Sequence, residues 1–259
     1  MTKSKKAQMW VLLRGWGRSK GHWLDFPELF ANSKNSAREV VCIDLPGMGD
    51  DKDGTSPATI AEIRKALQKK ALLDPRLQKP FHLLGISLGG MIALDWALNS
   101  PDQLAGVVII NSSVASESHF YERLKLSNLG RLFKVATERE MIKKEELILS
   151  MLSNFPGLQS DIGKRWARIS AEKTPKTSNL LIQLFAASTY NPPPIDLKIP
   201  GLVLVAEGDR FVDPKCSYRL AEKYKIPLRQ HPWGGHELSL DDPNWIISSI
   251  EDWLQSIKG

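Results

Sequence analysis

One serine in this chain stands where a hydroxyl can be made nucleophilic. In Gly85-Ile86-Ser87-Leu88-Gly89 a glycine lies two residues before Ser87 and another two after it. That spacing suits a sharp strand-to-helix turn, where the residues two positions either side of the serine would collide unless small. The flanks agree: PFHLL before the motif reads as a strand, and MIALDWAL after it reads as a helix. Such a turn lifts the hydroxyl to the carboxyl edge of a sheet. The amides that open the helix, Leu88 first, then point at negative charge developing beside the serine. Ser87 is the candidate nucleophile and the Leu88 amide a candidate oxyanion donor. The plainer alternative is a pair of glycines that only permit a turn.

A serine needs a base, and a histidine base needs a carboxylate to fix its tautomer. The chain has five histidines. His82 lies within the strand leading to Ser87, His119 follows the next strand at a distance, and His231 ends a short strand. His236 follows Trp233-Gly234-Gly235, a loop able to carry a ring over a sheet edge, and is the candidate base. Asp209, in Ala206-Glu207-Gly208-Asp209 just after the strand GLVLVA, is the candidate acid. Glu207 and Asp213 compete with it, although Asp213 before Pro214 also reads as a helix cap. His22, in a loop near the same edge, is a candidate for contacting substrate.

The elements that must position these residues alternate. Near-continuous apolar strands are expected at 9–13, 39–45, 80–86, 105–111 and 201–206, with a shorter one near 226–231. Helical segments are expected at 22–30, 58–72, 88–99, 215–224 and 243–256. Strands of this kind belong in a mostly parallel sheet with helices on both faces, an α/β fold. The alternation stops between 118 and 190, where only helical segments follow: 119–139, 144–153, 160–170 and 177–189. The chain therefore divides into a core, 1–117 and 191–259, and a helical insertion, 118–190.

Composition excludes several classes. The chain has 259 residues, 42% of them apolar, enough for one large core. Cys42 and Cys216 are too few for a disulfide framework. The basic start, with Lys3, Lys5 and Lys6, runs through a short apolar stretch straight into Arg14, unlike a signal peptide. No apolar run reaches ~18 residues, so no membrane span is expected and the cytoplasm is the expected location. The net charge of +6 is dispersed, and without zinc-finger spacing or basic–aromatic repeats nucleic acid is not an expected partner.

With these residues in place, the chain resembles the α/β-hydrolase superfamily along nearly its whole length. The matching stretches are Arg14-Gly15-Trp16-Gly17, DLPGMGD at 44–50, GISLGG at 85–90, GDRFVDP at 208–214 and GGHELSLDDP at 234–243. The order serine, aspartate, histidine is that family's order. Within it the chain is similar to small carboxylesterases of the pimeloyl-acyl-carrier-protein methyl ester esterase type. The resemblance implies an eight-stranded, mostly parallel sheet with a helical cap inserted after strand six, which would be 118–190. It also implies that the Trp16 amide is the second oxyanion donor. Such enzymes carry a histidine where this chain has Arg14. Two roles are open for Arg14: bracing the oxyanion loop through carbonyls or a carboxylate, or binding an anionic substrate.

The expected reaction is hydrolysis of a small to medium ester through an acyl-enzyme, with no metal or organic cofactor. Ser87 at the nucleophile position argues against dehalogenase and epoxide hydrolase chemistry, which use aspartate there. Thioesterase and cofactor-free perhydrolase activities share the same residues and stay open, as does a degenerate hydrolase acting as a receptor. The basic residues of the insertion, among them Arg123, Arg131 and Lys134, would suit an acyl carrier protein as partner. Interspersed glutamates fit a solvated surface equally well. Monomer and dimer are both open.

Overall fold

The computed structural model describes residues 7–33, 37–155 and 159–257. The basic stretch with Lys3, Lys5 and Lys6 lies outside them. In chain order the elements are β1 (Gln8–Leu13), α1 (Phe26–Ala31), β2 (Arg38–Ile43), α2 (Ile60–Leu73), β3 (Phe81–Ile86), α3 (Leu88–Asn99) and β4 (Leu104–Ile110). Five helices follow: α4 (Phe120–Arg123), α5 (Leu129–Thr137), α6 (Met141–Leu152), α7 (Gln159–Glu172) and α8 (Thr177–Thr189). The chain then returns through β5 (Gly201–Ala206), α9 (Pro214–Tyr224), β6 (Leu228–His231), α10 (Leu238–Asp241) and α11 (Pro243–Ser256).

The strands form one six-stranded sheet in the order β2-β1-β3-β4-β5-β6, and every pairing is parallel. Its helices cover both faces, and the period of two divides the strand side chains between them. Val11, Leu13, Leu83, Val107, Ile109 and Val203 pack under α2, α3 and α9. Trp10, Leu12, Leu84, Ile86, Val108, Ile110, Leu202 and Leu204 pack toward α1 and α11. Strands buried on both faces are what continuous apolar runs such as GLVLVA require. The implied eight-stranded sheet is not met: among the described residues the sheet has six strands, and the helical segment follows the fourth of them. The helix expected over 119–139 is broken into the short α4, a single 3-10 turn at Leu126–Asn128, and α5.

Topology fixes where a site can form. The chain moves outward from β1 to β2, then crosses to the other side of β1 for β3, so a crevice opens at the carboxyl ends of β1 and β3. Leu13 pairs with Gly85 and Ile86 with Ile110. The loops after β1, β3 and β4 therefore emerge side by side.

Candidate active site

Ser87 sits between β3 and α3 with φ 55° and ψ −118°. A non-glycine residue in that region carries strain of about 1–3 kcal/mol, and the surroundings hold it there. The Ser87 amide donates to the Ile110 carbonyl at 2.9 Å, and Ser112 Oγ donates to the Ser87 carbonyl at 2.8 Å. The two motif glycines are needed for space: a Cβ on Gly85 would overlap the Gly89 carbonyl, and one on Gly89 would overlap the carbonyls of Leu13 and Arg14. The loop after β1 is equally close. A Cβ on Gly15 would lie 3.2 Å from that of Ser87.

That approach brings Trp16 and Leu88 to a pocket of about 50 Å³ that Ser87 also lines. Among the described residues, the backbone amides of Trp16 and Leu88 donate to no protein acceptor. The Trp16 indole is anchored separately, donating to the Leu180 carbonyl at 2.8 Å.

Asp209 and His236 are brought into direct contact, with His236 Nδ1 2.7 Å from Asp209 Oδ2 and both side chains buried. The other oxygen of Asp209 accepts the amides of Phe211 (2.8 Å) and Val212 (2.9 Å), so the carboxylate is fixed from both sides. The two competing acids are engaged elsewhere. Asp213 caps α9 through the Lys215 amide at 3.0 Å, and Glu207 accepts the Tyr218 hydroxyl. The Phe211 ring stands 5.1 Å from that of His236 and lines the same pocket as Ser87.

Asn111, not singled out in the sequence, ties these loops together. It ends β4 at φ 46° and is fully buried. Its Nδ2 donates to the carbonyls of Gly235 (3.1 Å) and His236 (3.0 Å), and its Oδ1 accepts the Ala206 amide at 2.9 Å. One side chain thus registers the histidine loop against the ends of β4 and β5. The available signal was an asparagine directly after an apolar strand, since asparagine tolerates positive φ.

Arg14 is buried, and its guanidinium makes a two-pronged contact with Glu237 at 2.7 and 2.5 Å. It also lies 4.6 Å over the Trp23 ring. Burial opposes charge on Glu237, but Arg14 together with Ser239 prevails and holds its carboxyl below the usual glutamate range. Because Glu237 adjoins His236, this pair fastens the loop after β1 to the histidine loop. Arg18, four residues on, repeats the arrangement, pairing with Glu145 of α6 at 2.6 Å over the Trp166 ring. His22 is buried, its ring within hydrogen-bond distance of Ser19 Oγ (3.0 Å) and Ser170 Oγ (3.2 Å) and 5.6 Å from that of Trp166. Burial, then the charges of Arg18 and Arg14, drive its pKa well below the usual histidine value. Neither Arg14 nor His22 lines the pocket at Ser87.

The helical segment is sewn into the same edge. Asp241 accepts Ser153 Oγ at 2.5 Å and the amides of Asn154 (3.0 Å) and Gly235 (2.6 Å). Asn154 Nδ2 donates to the carbonyls of Gly208 and Trp233, each at 2.8 Å, and Lys125 Nζ donates to the Asp209 carbonyl at 2.6 Å. Among the described residues, no cluster of three or more His, Cys, Asp or Glu side chains could hold a metal ion. No helix among them is long and apolar enough to cross a membrane.

Six parallel strands, a serine on a strained turn at their carboxyl edge and a buried aspartate–histidine pair on the loops after β5 and β6 define a class of protein. The pattern of the alpha/beta hydrolase family matches residues 10–248, and the chain belongs to that family. In sequence it is 28% identical to the "Putative carbamate hydrolase RutD" of Pantoea ananatis, over 96% of this chain and 89% of that protein. It is 34% identical to the biotin biosynthesis bifunctional protein BioHC of Teredinibacter turnerae, over 39% of this chain and 16% of that one. In structure it is similar to the enol-lactonase of Burkholderia xenovorans, with a TM-score of 0.75 at 18% identity, covering 96% of this chain and 92% of that chain.

Proposed function

We propose that this chain is a serine hydrolase of carboxylic esters, with Ser87 as nucleophile, His236 as base and Asp209 as the acid that orients it. One arrangement carries the reading. Ser87 lines a pocket with two residues whose amides are unspent, and a buried histidine–carboxylate pair lies on the adjoining loops. Asp209 accepts a hydrogen bond from the Nδ1–H of His236, which keeps the proton on Nδ1 and leaves Nε2 free as the base. His236 removes the Ser87 proton as the hydroxyl attacks the ester carbonyl. The amides of Trp16 and Leu88 receive the charge on the carbonyl oxygen, each worth about 3 kcal/mol to the transition state. His236 then protonates the leaving alcohol, and water activated by the same ring frees the acid from Ser87.

In this reading Arg14 is a positioning residue. Its pairing with Glu237 holds the oxyanion loop and the histidine loop at a fixed separation. The segment 118–190 acts as the cap over the pocket, with its inner residues Ser153 and Asn154 setting the acid and histidine loops. The similarity to RutD puts carbamates beside esters in a substrate survey, since both present a carbonyl to the same nucleophile. A second reading, an ester carried on an acidic acyl carrier protein, is favoured by α5, which exposes Arg131 and Lys134 and has no buried side chain. Turnover of p-nitrophenyl esters, compared between the wild type and Ser87→Ala of intact fold, tests the main proposal. Loss of turnover in the variant is expected, and turnover surviving the substitution would overturn it.

A further inference from the structure

The pocket at Ser87 contains a cation that no acidic side chain neutralises. Arg123, the last residue of α4, lines it together with Ser87, Leu88, Ser113 and Phe211, and is the charged residue among those lining it. Its guanidinium donates to the carbonyls of Ser188 (2.8 Å) and Ala187 at the end of α8, and its Nε donates to Ser113 Oγ at 3.3 Å. All three acceptors are uncharged. Among the described residues no carboxylate comes within ion-pair distance of Arg123. Its neighbour Glu122 is occupied by Arg219, 2.7 Å away.

The contrast with the other arginines of the site is direct. Arg14 and Arg18 are each buried against a glutamate. Arg123 is partly buried, and that burial holds its pKa below the ordinary arginine value with no carboxylate to compensate. The carbonyl end of α8 offers about half a negative charge, enough to orient the fork and leave it a net cation. A guanidinium has five N–H donors, and the bonds above use three of them. Two are not used by these bonds, and Arg123 lines the pocket of about 50 Å³ that Ser87 also lines.

We propose that Arg123 binds a carboxylate of the substrate, so that the preferred ester is a short anionic one with a free carboxylate a few bonds from the scissile carbonyl. This rests on the serine-hydrolase reading above. Water adds to the carbonyl, the ester C–O bond breaks, the alcohol leaves with a proton, and both product and substrate keep the carboxylate held by Arg123. A paired charged contact of this kind is worth about tenfold or more in binding.

The test compares substrates matched in size: monomethyl succinate against methyl pentanoate for a carboxylate on the acyl side, and O-acetylglycolate against propyl acetate for one on the alcohol side. The wild type is expected to prefer the anionic member of at least one pair about tenfold or more in kcat/KM, through KM. Arg123→Gln should remove that preference, and Arg123→Lys should keep more of it than Arg123→Gln does. No preference in either pair, or one that Arg123→Gln leaves intact, would overturn the assignment. Because Arg123 also caps α8, the wild-type comparison stands alone if a variant fails to fold. Calorimetric binding of the preferred anionic ester to Ser87→Ala, with and without Arg123→Gln, separates the two claims. Binding that depends on Arg123 without any ester turnover in the wild type would refute the serine-hydrolase reading and leave the anion site standing. Turnover that depends on Ser87 without anion preference would do the reverse.

Discussion

The carboxyl edge of the sheet and the outer part of the helical segment use charged and apolar residues in opposite ways. At the edge, Arg14, Arg18, Asp209 and Glu237 are all buried, and every one is held by a charged or polar partner. On α5, Leu129 is 52% and Phe133 70% exposed, Arg131 and Lys134 point outward, and no side chain is buried. Between them runs a seam, Ser150 to Asn154, that belongs to the helical segment in sequence and to the edge in its bonding. Arg210, one residue beyond Asp209, donates to the carbonyls of Ser150 (3.0 Å) and Ser153 (2.8 Å). Charge is buried and paired where the loops that carry Ser87, Asp209 and His236 are held at a fixed spacing. Where no such loop needs holding, the segment is left open to solvent. The helical segment is therefore two things, an inner brace and an outer surface.

The largest break in this comparison comes from the residues proposed to react. Ser87→Ala or His236→Ala should lower kcat by a factor on the order of 10⁴ or more, and Asp209→Asn by about 10⁴, in steady-state ester assays. Thermal melts should stay near the wild type for Ser87→Ala, which removes a hydroxyl and no internal bond.

Next in size is the charge pair behind them. Glu237→Ala leaves Arg14 buried and alone, and chemical denaturation should show a loss of about 3–5 kcal/mol. Replacing both partners, Arg14→Met with Glu237→Leu, should recover much of that stability while activity stays low, because the two loops lose their common clamp. Full recovery of activity in the double variant would reduce the pair to packing.

Asn111→Ala removes three bonds and places alanine at positive φ. It should cost about 2–4 kcal/mol in denaturant and lower kcat more than KM changes, since the His236 loop loses its register.

A pH effect follows from His22. Its pKa is lowered in the folded chain, so the unfolded chain takes up a proton first as pH falls. Stability should be full above about 6.5 and decline below it, by up to about 1.4 kcal/mol per pH unit. Melts from pH 7.5 down to 5 should show this decline, and His22→Gln should flatten it.

The smallest effect belongs to the outer surface. Phe133→Ser should change stability by no more than about 0.5 kcal/mol. A much larger loss would mean that α5 packs against the body of the protein.

The same contrast explains what could be read before the structure. Ser87, Asp209 and His236 lie on local patterns, a glycine-spaced turn, the end of an apolar strand and a glycine loop, and local patterns survive in one dimension. The strands were readable for the same reason, and α3, α8, β5 and α11 fall where their apolar periods end. Glu237 as the partner of Arg14 was not readable, because the two are 223 residues apart and nothing in the spacing joins them. Asp241 holding Ser153 and Asn154 is hidden in the same way. Arg123 stood among the basic residues of the helical segment with no mark to separate it from Arg131. Only the lack of a nearby carboxylate and its place in the pocket set it apart. The strand count came from resemblance, and the six-stranded sheet corrects it.

The most direct test of the central claim is covalent labelling by a fluorophosphonate, followed by peptide mapping and residual ester turnover. The account predicts one adduct per chain, on the peptide containing Ser87, with turnover lost in proportion and no labelling of Ser87→Ala. Ester turnover that persists at full labelling, or an adduct on a residue other than Ser87, would contradict it.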